Sequence, residues 1–487
     1  MEPQSESLVF GTDGWRDVFA DRFTFANLRR AARAYGEHLL ERSAAGSPVL
    51  VGYDTRFMGR RFALEVAAVL RSLDLDALVS RDYLPTPALS FAVKHLGARG
   101  GVMLTASHNP PQYGGFKLKG AYGGTATDDI YRDVERRVGQ RTVPAPTAAE
   151  RDAVGDFDVR KQYYEALAQL VDLDALRRAD ATLVHDPMGG AGCGWLRGFA
   201  TATRALRVEE TRGRPDPLFH GVNPEPIPGN LLTTQELMQS SSGRAGSDPV
   251  FAVATDGDGD RLGVVLPGGE YFNSHQIFAV LLSHLERTRR PAAAAGVVKT
   301  FTVSRIVERL ARARGLPVVE TPVGFKYIVD AMLAGDVIIG GEESGGIGVG
   351  MHLPERDGLA NALLLLEAVV SAGEPLAEIF AALERETGWQ HAYRRVDLQL
   401  AGDGSKERVL AQLADPPASF GGWGVASVED LDGVKLNLSR HEGAEPTAWL
   451  LLRASGTEPV LRLYCEAPST AAVKQILAAA EAFVAVA

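Results

Sequence analysis

The sequence predicts an α/β protein with three α/β units in series, followed by a smaller α+β domain. Short runs rich in β-branched residues alternate with amphipathic helical stretches, as at 48–53, 61–73 and 77–79. The alternation recurs twice more, whereas strand-like runs dominate from residue 396 and one helix closes the chain. Such alternation is typical of parallel or mixed sheets covered by helices. We therefore expect mixed sheets in the first three units.

The chain length also predicts several domains. The 487 residues are 45% hydrophobic, and at about 150 residues per domain they suggest three or four domains. Turns rich in Pro or Gly at 143–146, 267–269 and 387–388 predict the boundaries. The predicted domains are residues 1–150, 151–268, 269–388 and 389–487.

Charge and cysteine content exclude several classes of protein. With 51 Lys plus Arg against 61 Asp plus Glu, the net charge of −10 argues against nonspecific binding to nucleic acid or anionic membranes. The longest apolar run, 359–372, is interrupted by Asn361 and Glu367, and no signal peptide is recognisable. Cys193 and Cys465 lie far apart in sequence, which favours a reducing compartment. We therefore expect a cytoplasmic protein without nucleic-acid or membrane partners.

The segment 105–111, with the sequence Thr-Ala-Ser-His-Asn-Pro-Pro, follows the strand-like run 101–104. It therefore lies on a loop at the carboxyl end of a strand, where α/β sheets place their sites. There Ser107 can act as a nucleophile or a phosphate carrier, and His108 or Lys117 can move protons. The alternative is a polar turn ended by Asn-Pro. The segment does not fit Gly-x-Ser-x-Gly, which argues against a serine hydrolase.

An acidic segment, 256–261, has the sequence Asp-Gly-Asp-Gly-Asp-Arg and follows another strand-like run. Asp256, Asp258 and Asp260 can converge on one hard divalent cation such as Mg²⁺. Without a cation, carboxylates so close together would repel one another. The spacing excludes an EF-hand, because Arg261 stands where that loop needs Gly. The alternative is a solvated acidic turn.

Two glycine-rich loops carry groups that suit a sugar phosphate. The loop 340–346 contains Glu342 and Ser344, which offer acceptors and a donor to sugar hydroxyls, although a helix-capping turn fits it equally well. The loop 453–459 combines Arg453 with two hydroxyls and an approachable backbone amide, a combination that suits phosphate.

A fifth segment, 10–16, offers Arg16 and says little by itself. In this order, the five segments resemble the α-D-phosphohexomutase superfamily of phosphoglucomutases and phosphomannomutases, and within it most resemble bacterial phosphoglucomutases. The resemblance spans residues 10–459. It implies three related α/β mixed-sheet domains and a C-terminal α+β domain around a central cleft. The successive domains would carry the phosphoserine loop, the metal-binding loop, the sugar-binding loop and the phosphate-binding loop.

The resemblance also implies a role for each matching residue. The implied catalytic residues are Ser107 as the phosphoserine, His108 and Lys117 as the groups that move protons, and Arg261. The implied metal ligands are Ser107, through its phosphate, with Asp256, Asp258 and Asp260. The implied substrate-binding residues are Arg16 and Lys299 at the reacting phosphate, Lys326 in the loop that orients the sugar, Glu342 and Ser344 at the sugar, and Arg453, Ser455, Gly456 and Thr457 at the other phosphate.

The implied activity is interconversion of glucose 1-phosphate and glucose 6-phosphate through glucose 1,6-bisphosphate, with Mg²⁺ as cofactor, in a monomer or homodimer. Gly456 stands where many members carry Asn, and Gly346 ends a loop that often ends in His in mannose- and glucosamine-type members. The doubled acid of Glu342 and Glu343 is more similar to glucose-type loops, so we expect a phosphoglucomutase. A phosphomannomutase or dual-specificity enzyme, a glucose 1,6-bisphosphate synthase and a Mg²⁺-dependent sugar phosphatase remain alternatives.

Overall fold

The structure is a computed structural model that describes residues 8–42, 47–140, 142–241, 250–289, 295–400, 405–413, 416–454 and 460–486. The chain divides into two units. The first comprises Met1–Val298 and Gly324–Ile379, and the second comprises Lys299–Val323 and Phe380–Ala487.

A mixed sheet carries the N-terminal part of the first unit. Its elements, with the helices that cover it, are β1 (Trp15–Val18), α1 (Phe25–Arg42), β2 (Val49–Tyr53), α2 (Gly59–Arg71), β3 (Ala77–Ser80), α3 (Thr86–His95), β4 (Gly100–Leu104), β5 (Tyr113–Gly120), β6 (Gly124–Thr125), α4 (Asp128–Val138), α5 (Ala148–Asp152) and β7 (Gly155–Phe157). The strand order is β1-β5-β4-β2-β3-β7, with β6 beside β5. Strands β4, β2, β3 and β7 run parallel, and β5 is antiparallel to β4. All five residues of β2 are buried, as expected for a strand with helices on both faces. Strand β7 belongs to this sheet although it follows the predicted boundary at residue 150.

The second sheet, also in the first unit, combines parallel and antiparallel strands. The elements of this region are α6 (Arg160–Leu170), α7 (Leu173–Ala179), β8 (Thr182–Asp186), α8 (Trp195–Thr203), β9 (Arg207–Glu210), α9 (Leu232–Ser241), β10 (Phe251–Thr255), β11 (Leu262–Val265) and β12 (Tyr271–Phe272). The order is β12-β11-β10-β8-β9, and β10 runs parallel to β8 but antiparallel to β11. The acidic segment 256–261 is therefore the tight connection between two buried neighbouring strands.

The third region spans both units. Its elements are α10 (Ser274–Arg289), β13 (Gly296–Thr300), α11 (Arg305–Ala313), β14 (Val318–Thr321), α12 (Phe325–Ala334), β15 (Val337–Gly341), β16 (Ile347–Val349), α13 (Gly358–Ala372) and α14 (Leu376–Thr387). In the first unit β15 and β16 form a hairpin whose turn is the predicted sugar-binding loop. Helix α13 contains the apolar run 359–372, and most of its residues are buried. No helix within the described residues has both the length and the apolar character that a membrane crossing requires.

The C-terminal part of the second unit is an antiparallel sheet. Its elements are β17 (Ala392–Gln399), α15 (Ser405–Leu413), β18 (Ser419–Phe420), β19 (Trp423–Glu429), β20 (Val434–Ser439), β21 (Ala448–Ala454), β22 (Val460–Ala467) and α16 (Thr470–Val486). The strand order is β17-β22-β21-β20-β19-β18, and apolar residues of α16 share one core cluster with the strands. The predicted α+β character of this region is confirmed.

A buried carboxylate explains why residues 299–323 belong to the second unit. Glu466 of β22 is fully buried and accepts hydrogen bonds from Trp449 Nε1 at 2.5 Å and from the N–H of Arg305 at 3.2 Å. Ser304 Oγ also donates to it. A buried charge requires such partners, so this carboxylate ties the start of α11 to the sheet.

Candidate active site

The serine predicted to carry phosphate lies on the loop between β4 and β5. Ser107 is fully buried and has a φ of 52°, in the left-handed region. Its N–H donates to Thr105 Oγ1 at 2.8 Å, and its Oγ donates to Asp256 Oδ2 at 2.7 Å. The ring atom Nδ1 of His108 lies 3.4 Å from the same Oγ. The fold therefore brings the serine loop of the first sheet against the acidic loop of the second.

The three predicted metal ligands converge in the first unit. One ligand oxygen from each of Asp256, Asp258 and Asp260 lies within 4.8 Å of the others, and all three residues are fully buried. Burial, together with the charges of its two neighbours, raises the pKa of Asp256 well above its ordinary value. Oδ1 of Asp258 and Oδ1 of Asp260 are buried and accept no hydrogen bond within the described residues. Buried, unpartnered carboxylate oxygens are the donor set that a hard cation such as Mg²⁺ needs, so these residues fit the metal.

Lys117 lies fully buried among carboxylates. Its Nζ lies 2.9 Å from Asp13 Oδ2, 2.8 Å from Asp258 Oδ2 and 3.0 Å from Asp260 Oδ2. Burial by itself would lower the pKa of this lysine, but the charges of the three acids raise it above its ordinary value. In this arrangement Lys117 is therefore held in its protonated form.

Sequence reasoning missed Arg356, which connects three of the five motifs. Its guanidinium group lies 2.5 Å from Asp13, 2.8 Å from Asp260 and 3.3 Å from Glu342, and only 3% of its side chain is exposed. Its Cδ lies 2.3 Å from the position of a Cβ on Gly346, so Arg356 fills the space above the end of the sugar-binding loop. The signal in the sequence was a pair of charged residues, Glu355 and Arg356, close before the apolar helix α13.

Arg56 was missed as well, although it organises the serine loop. The guanidinium group donates to the backbone oxygens of Ser107 at 2.7 Å, Asn109 at 2.6 Å, Pro110 at 2.8 Å and Tyr113 at 3.1 Å. Its Nε pairs with Asp54 at 3.1 Å. Burial raises the pKa of Asp54 to about 6, although Arg56 opposes this effect. The available signal was a charged pair directly after the buried strand β2.

The remaining predicted residues of the first unit surround this cluster. Arg16 donates to Asn109 Oδ1 at 3.0 Å and to Asp13 Oδ2 at 3.3 Å, which places it beside the serine loop. Nε of Arg261 is buried without a hydrogen-bond partner within the described residues and lies 4.0 Å from Asp256. Lys326 is paired with Asp128 at the start of α4. Ser344 is partly buried on its loop.

The sugar-binding loop itself contacts the acidic loop. The N–H of Leu262 donates to Gly345 O at 3.1 Å, and Arg261 forms a β-bridge with Gly346. Burial raises the pKa of Glu342, and Arg356 and Arg261 oppose this effect. The fold thereby holds the predicted sugar-binding carboxylate close to the predicted metal ligands.

Two predicted residues lie in the second unit. Lys299 is buried, is paired with Glu320, and lies 3.7 Å from Glu308. Arg453 is paired with Asp432 at 2.9 Å. Three predicted phosphate-binding residues, Ser455, Gly456 and Thr457, lie outside the described residues.

Comparisons with known proteins agree with the fold and the cluster. The chain matches all four domains of one family: phosphoglucomutase/phosphomannomutase alpha/beta/alpha domain I over residues 7–143, domain II over 161–269, domain III over 273–386, and the C-terminal domain over 424–482. The protein therefore belongs to the phosphoglucomutase/phosphomannomutase family, and the predicted superfamily and fold class are confirmed. As a phosphohexomutase it is an isomerase that moves phosphate within a sugar.

Relatives within the family carry several substrate names. A phosphoglucosamine mutase from Frankia casuarinae is 32% identical, with 96% of each chain covered. A phosphoglucomutase/phosphomannomutase from Thermococcus kodakarensis is 28% identical, again with 96% of each chain covered. A crystal structure from Thermus thermophilus, provisionally named a phosphomannomutase, is 44% identical, has a TM-score of 0.85, and covers 98% of this chain and 99% of that one. These names agree on the reaction class and differ in the sugar.

Proposed function

We propose that the protein is a phosphoglucomutase that interconverts glucose 1-phosphate and glucose 6-phosphate through a phosphoserine at Ser107. The observation that carries this proposal is the 2.7 Å hydrogen bond from Ser107 Oγ to Asp256, which joins the serine to the acidic cluster across 149 positions of sequence. A serine hydroxyl beside a cation site on a buried loop is well suited to carry a phosphoryl group.

The proposed reaction has two phosphoryl transfers. In the first, the bond between phosphorus and Ser107 Oγ breaks while a bond to a sugar hydroxyl oxygen forms. The hydroxyl proton passes to His108, and Lys117, which is protonated in this arrangement, gives a proton to Ser107 Oγ. The product is glucose 1,6-bisphosphate. After this intermediate reorients, the bond between its other phosphorus atom and the sugar oxygen breaks while a bond to Ser107 Oγ forms. His108 returns its proton to the sugar oxygen, and the proton of the Ser107 hydroxyl returns to Lys117. Both steps require the reacting atoms to be held in line, which depends on positioning.

The chain's own residues would supply that positioning and most of the charge. Bound Mg²⁺, held by Asp256, Asp258, Asp260 and the phosphate of Ser107, would neutralise charge on the phosphoryl group. We assign the remaining roles as follows: Arg16, Arg261 and Lys299 bind the reacting phosphate, Glu342 and Ser344 bind sugar hydroxyls, Lys326 helps to orient the sugar, and Arg453, Ser455, Gly456 and Thr457 bind the other phosphate.

The choice of glucose depends on the sugar-binding loop. Glu342 and Glu343 form a doubled acid. Gly346 has no side chain, and Arg356 occupies the space that a Cβ there would need. Phosphomannomutase or dual activity is the second candidate, and it is favoured by the name of the 44% identical relative from Thermus thermophilus. Comparing kcat/KM for the 1-phosphates of glucose, mannose and glucosamine tests this choice. Equal values for glucose and mannose would contradict it.

The reaction itself is tested with Ser107→Ala. We expect this variant to lose nearly all interconversion and to gain no phosphate by intact mass after exposure to glucose 1,6-bisphosphate. Ser240→Ala, on the exposed side of α9, is a matched control that should behave like the wild type. Undiminished activity in Ser107→Ala would contradict the proposal. Product analysis separates the alternatives, since a synthase would release the bisphosphate and a phosphatase would release inorganic phosphate.

Three broader expectations remain predictions. The domain boundaries near residues 150, 268 and 388 are one, and the monomeric or homodimeric state is another. The cytoplasmic location is the third, and the two free, buried cysteines are compatible with it.

A further inference from the structure

Asp432, a carboxylate outside the five sequence motifs, contacts Arg453 in the second unit. Arg453 Nε donates to Asp432 Oδ1 at 2.9 Å, and the backbone N–H of Val323 donates to Asp432 Oδ2 at 2.8 Å. Both carboxylate oxygens are therefore engaged, one by the guanidinium group and the other by the backbone. Because a backbone amide holds one oxygen, the position of the other oxygen is restricted as well.

The turn that carries Asp432 is built against strand β21. Strand β20 pairs with β21 so that Val434 lies opposite Leu452, which brings the residues before Val434 alongside the end of β21. Between them, Gly433 has a φ of 98°, and a Cβ there would lie 2.7 Å from Leu452 O. Only glycine accommodates this backbone without strain. The strand register and the turn thus place Asp432 beside Arg453.

The neighbouring strand adds a second guanidinium group. Arg462 of β22 stands directly opposite Arg453, and like charges in such a pair repel each other. Asp397 lies 3.6 Å from Arg462. Each of the two guanidinium groups therefore has a carboxylate beside it, and the one beside Arg453 is Asp432.

We propose that Asp432 is a positioning residue, which orients the Arg453 guanidinium group toward the substrate phosphate that is not being transferred. This inference rests on the proposed function, in which Arg453 binds that phosphate. A hydrogen bond at Nε fixes the plane of the guanidinium group, and a phosphate can then engage the edge formed by the two terminal nitrogens. Ordering a long side chain before the ligand arrives lowers the entropy cost of binding.

The substitution Asp432→Asn tests this role. The amide keeps an oxygen for the N–H of Val323 but turns an NH₂ group toward Arg453 Nε, so that two donors meet. We expect KM for glucose 1-phosphate to rise about tenfold, the effect of losing one charge-assisted hydrogen bond. The value of kcat should change less than twofold, because binding of the remote phosphate is common to the ground state and the transition state. A carboxylate that acted only as a negative charge would give a lower KM on neutralisation.

Two controls separate positioning from a structural effect. Glu386→Gln removes the carboxylate paired with Arg314 at 3.0 Å in the same unit and should leave KM unchanged. In an Arg453→Met background, adding Asp432→Asn should change KM less than twofold, because the group it positions is absent. A KM for Asp432→Asn equal to or below that of the wild type would overturn the proposal, and so would a tenfold change in the Arg453→Met background.

Failure of the proposed function would give a different result. If the wild type binds glucose 1-phosphate but does not convert it, the mutase proposal fails. The role of Asp432 is then judged by calorimetry, in which about tenfold weaker binding of glucose 1-phosphate by Asp432→Asn supports it and equal binding overturns it. If the wild type binds no glucose 1-phosphate, both proposals fail.

Discussion

Replacing Arg56 with methionine, alone and together with Asp54→Asn, should separate the stability of the first unit from the placement of its reactive serine. The substitution removes four hydrogen bonds to loop carbonyls and leaves Asp54, which is 1% exposed, without its ionic partner. Removing one partner of a buried ion pair costs about 3 to 5 kcal/mol. For a domain of roughly 150 residues, a loss of this size lowers Tm by roughly 10 °C.

The loss of stability caused by Arg56→Met should depend on pH in a defined direction. Burial already raises the pKa of Asp54 to about 6, and the charge of Arg56 opposes this rise. Without Arg56 the folded pKa rises further, so the folded state of the variant retains a proton that the unfolded state releases. Above the unfolded pKa, stability then falls as pH increases. The Tm deficit of Arg56→Met should therefore be larger at pH 8 than at pH 6.

The assay combines thermal unfolding with intact mass after exposure to glucose 1,6-bisphosphate. Arg56→Met should lose both stability and phosphorylation of Ser107. Adding Asp54→Asn should restore much of the stability, because no unpaired charge remains, but it should not restore phosphorylation. Arg29→Met, which breaks the pair with Glu65 in the same sheet domain, should lose stability while Ser107 is still phosphorylated. An Arg56→Met protein with unchanged Tm and phosphorylation would refute this reasoning.

Three further predictions concern the metal, a buried lysine and the sugar-binding loop. Asp258→Asn should abolish the increase in Tm that Mg²⁺ gives the wild type over EDTA, because a ligand oxygen is lost; an equal increase would contradict the metal site. Burial, with the charge of Lys299, lowers the pKa of Lys435 to about 7. The unfolded state then binds more protons than the folded state between pH 7 and about 10.5, so stability should rise by about 2 kcal/mol from pH 7 to 9. That rise should be absent in Lys435→Met, as thermal unfolding at both pH values would reveal. Gly346→His must displace Arg356, whose Cδ lies 2.3 Å from the new Cβ position, and should lower kcat/KM at least about tenfold; an unchanged value would show that the loop accommodates a side chain.

Local sequence patterns were sufficient to predict the fold class and the positions of the main loops. The serine loop follows β4 and the acidic loop follows β10, as the strand-like runs before them predicted. The α+β character of the C-terminal region was likewise readable from strand runs and a closing helix. These features depend on residues close together in the chain, so periodicity and turn residues reveal them.

No local sequence pattern predicted that the serine loop and the acidic loop would converge. Ser107 meets Asp256 across 149 positions, and Arg356 meets Asp13 across 343. Asp13 lies in the segment 10–16, for which the sequence predicted a role only for Arg16. Arg56 belonged to no predicted motif. The importance of these residues comes from the carboxylates and carbonyls that the fold places around them.

The sequence by itself determined which segments form strands, helices and polar loops, and through resemblance it indicated a phosphohexomutase with Ser107 at its centre. The tertiary structure decided which charges are buried together, how Lys117 and Arg356 are paired, and that residues 299–323 belong with the C-terminal sheet. The physical reason is the separation along the chain of the residues that interact. Backbone preferences act over a few residues, whereas the pairing of buried charges depends on packing between segments that are distant in the chain.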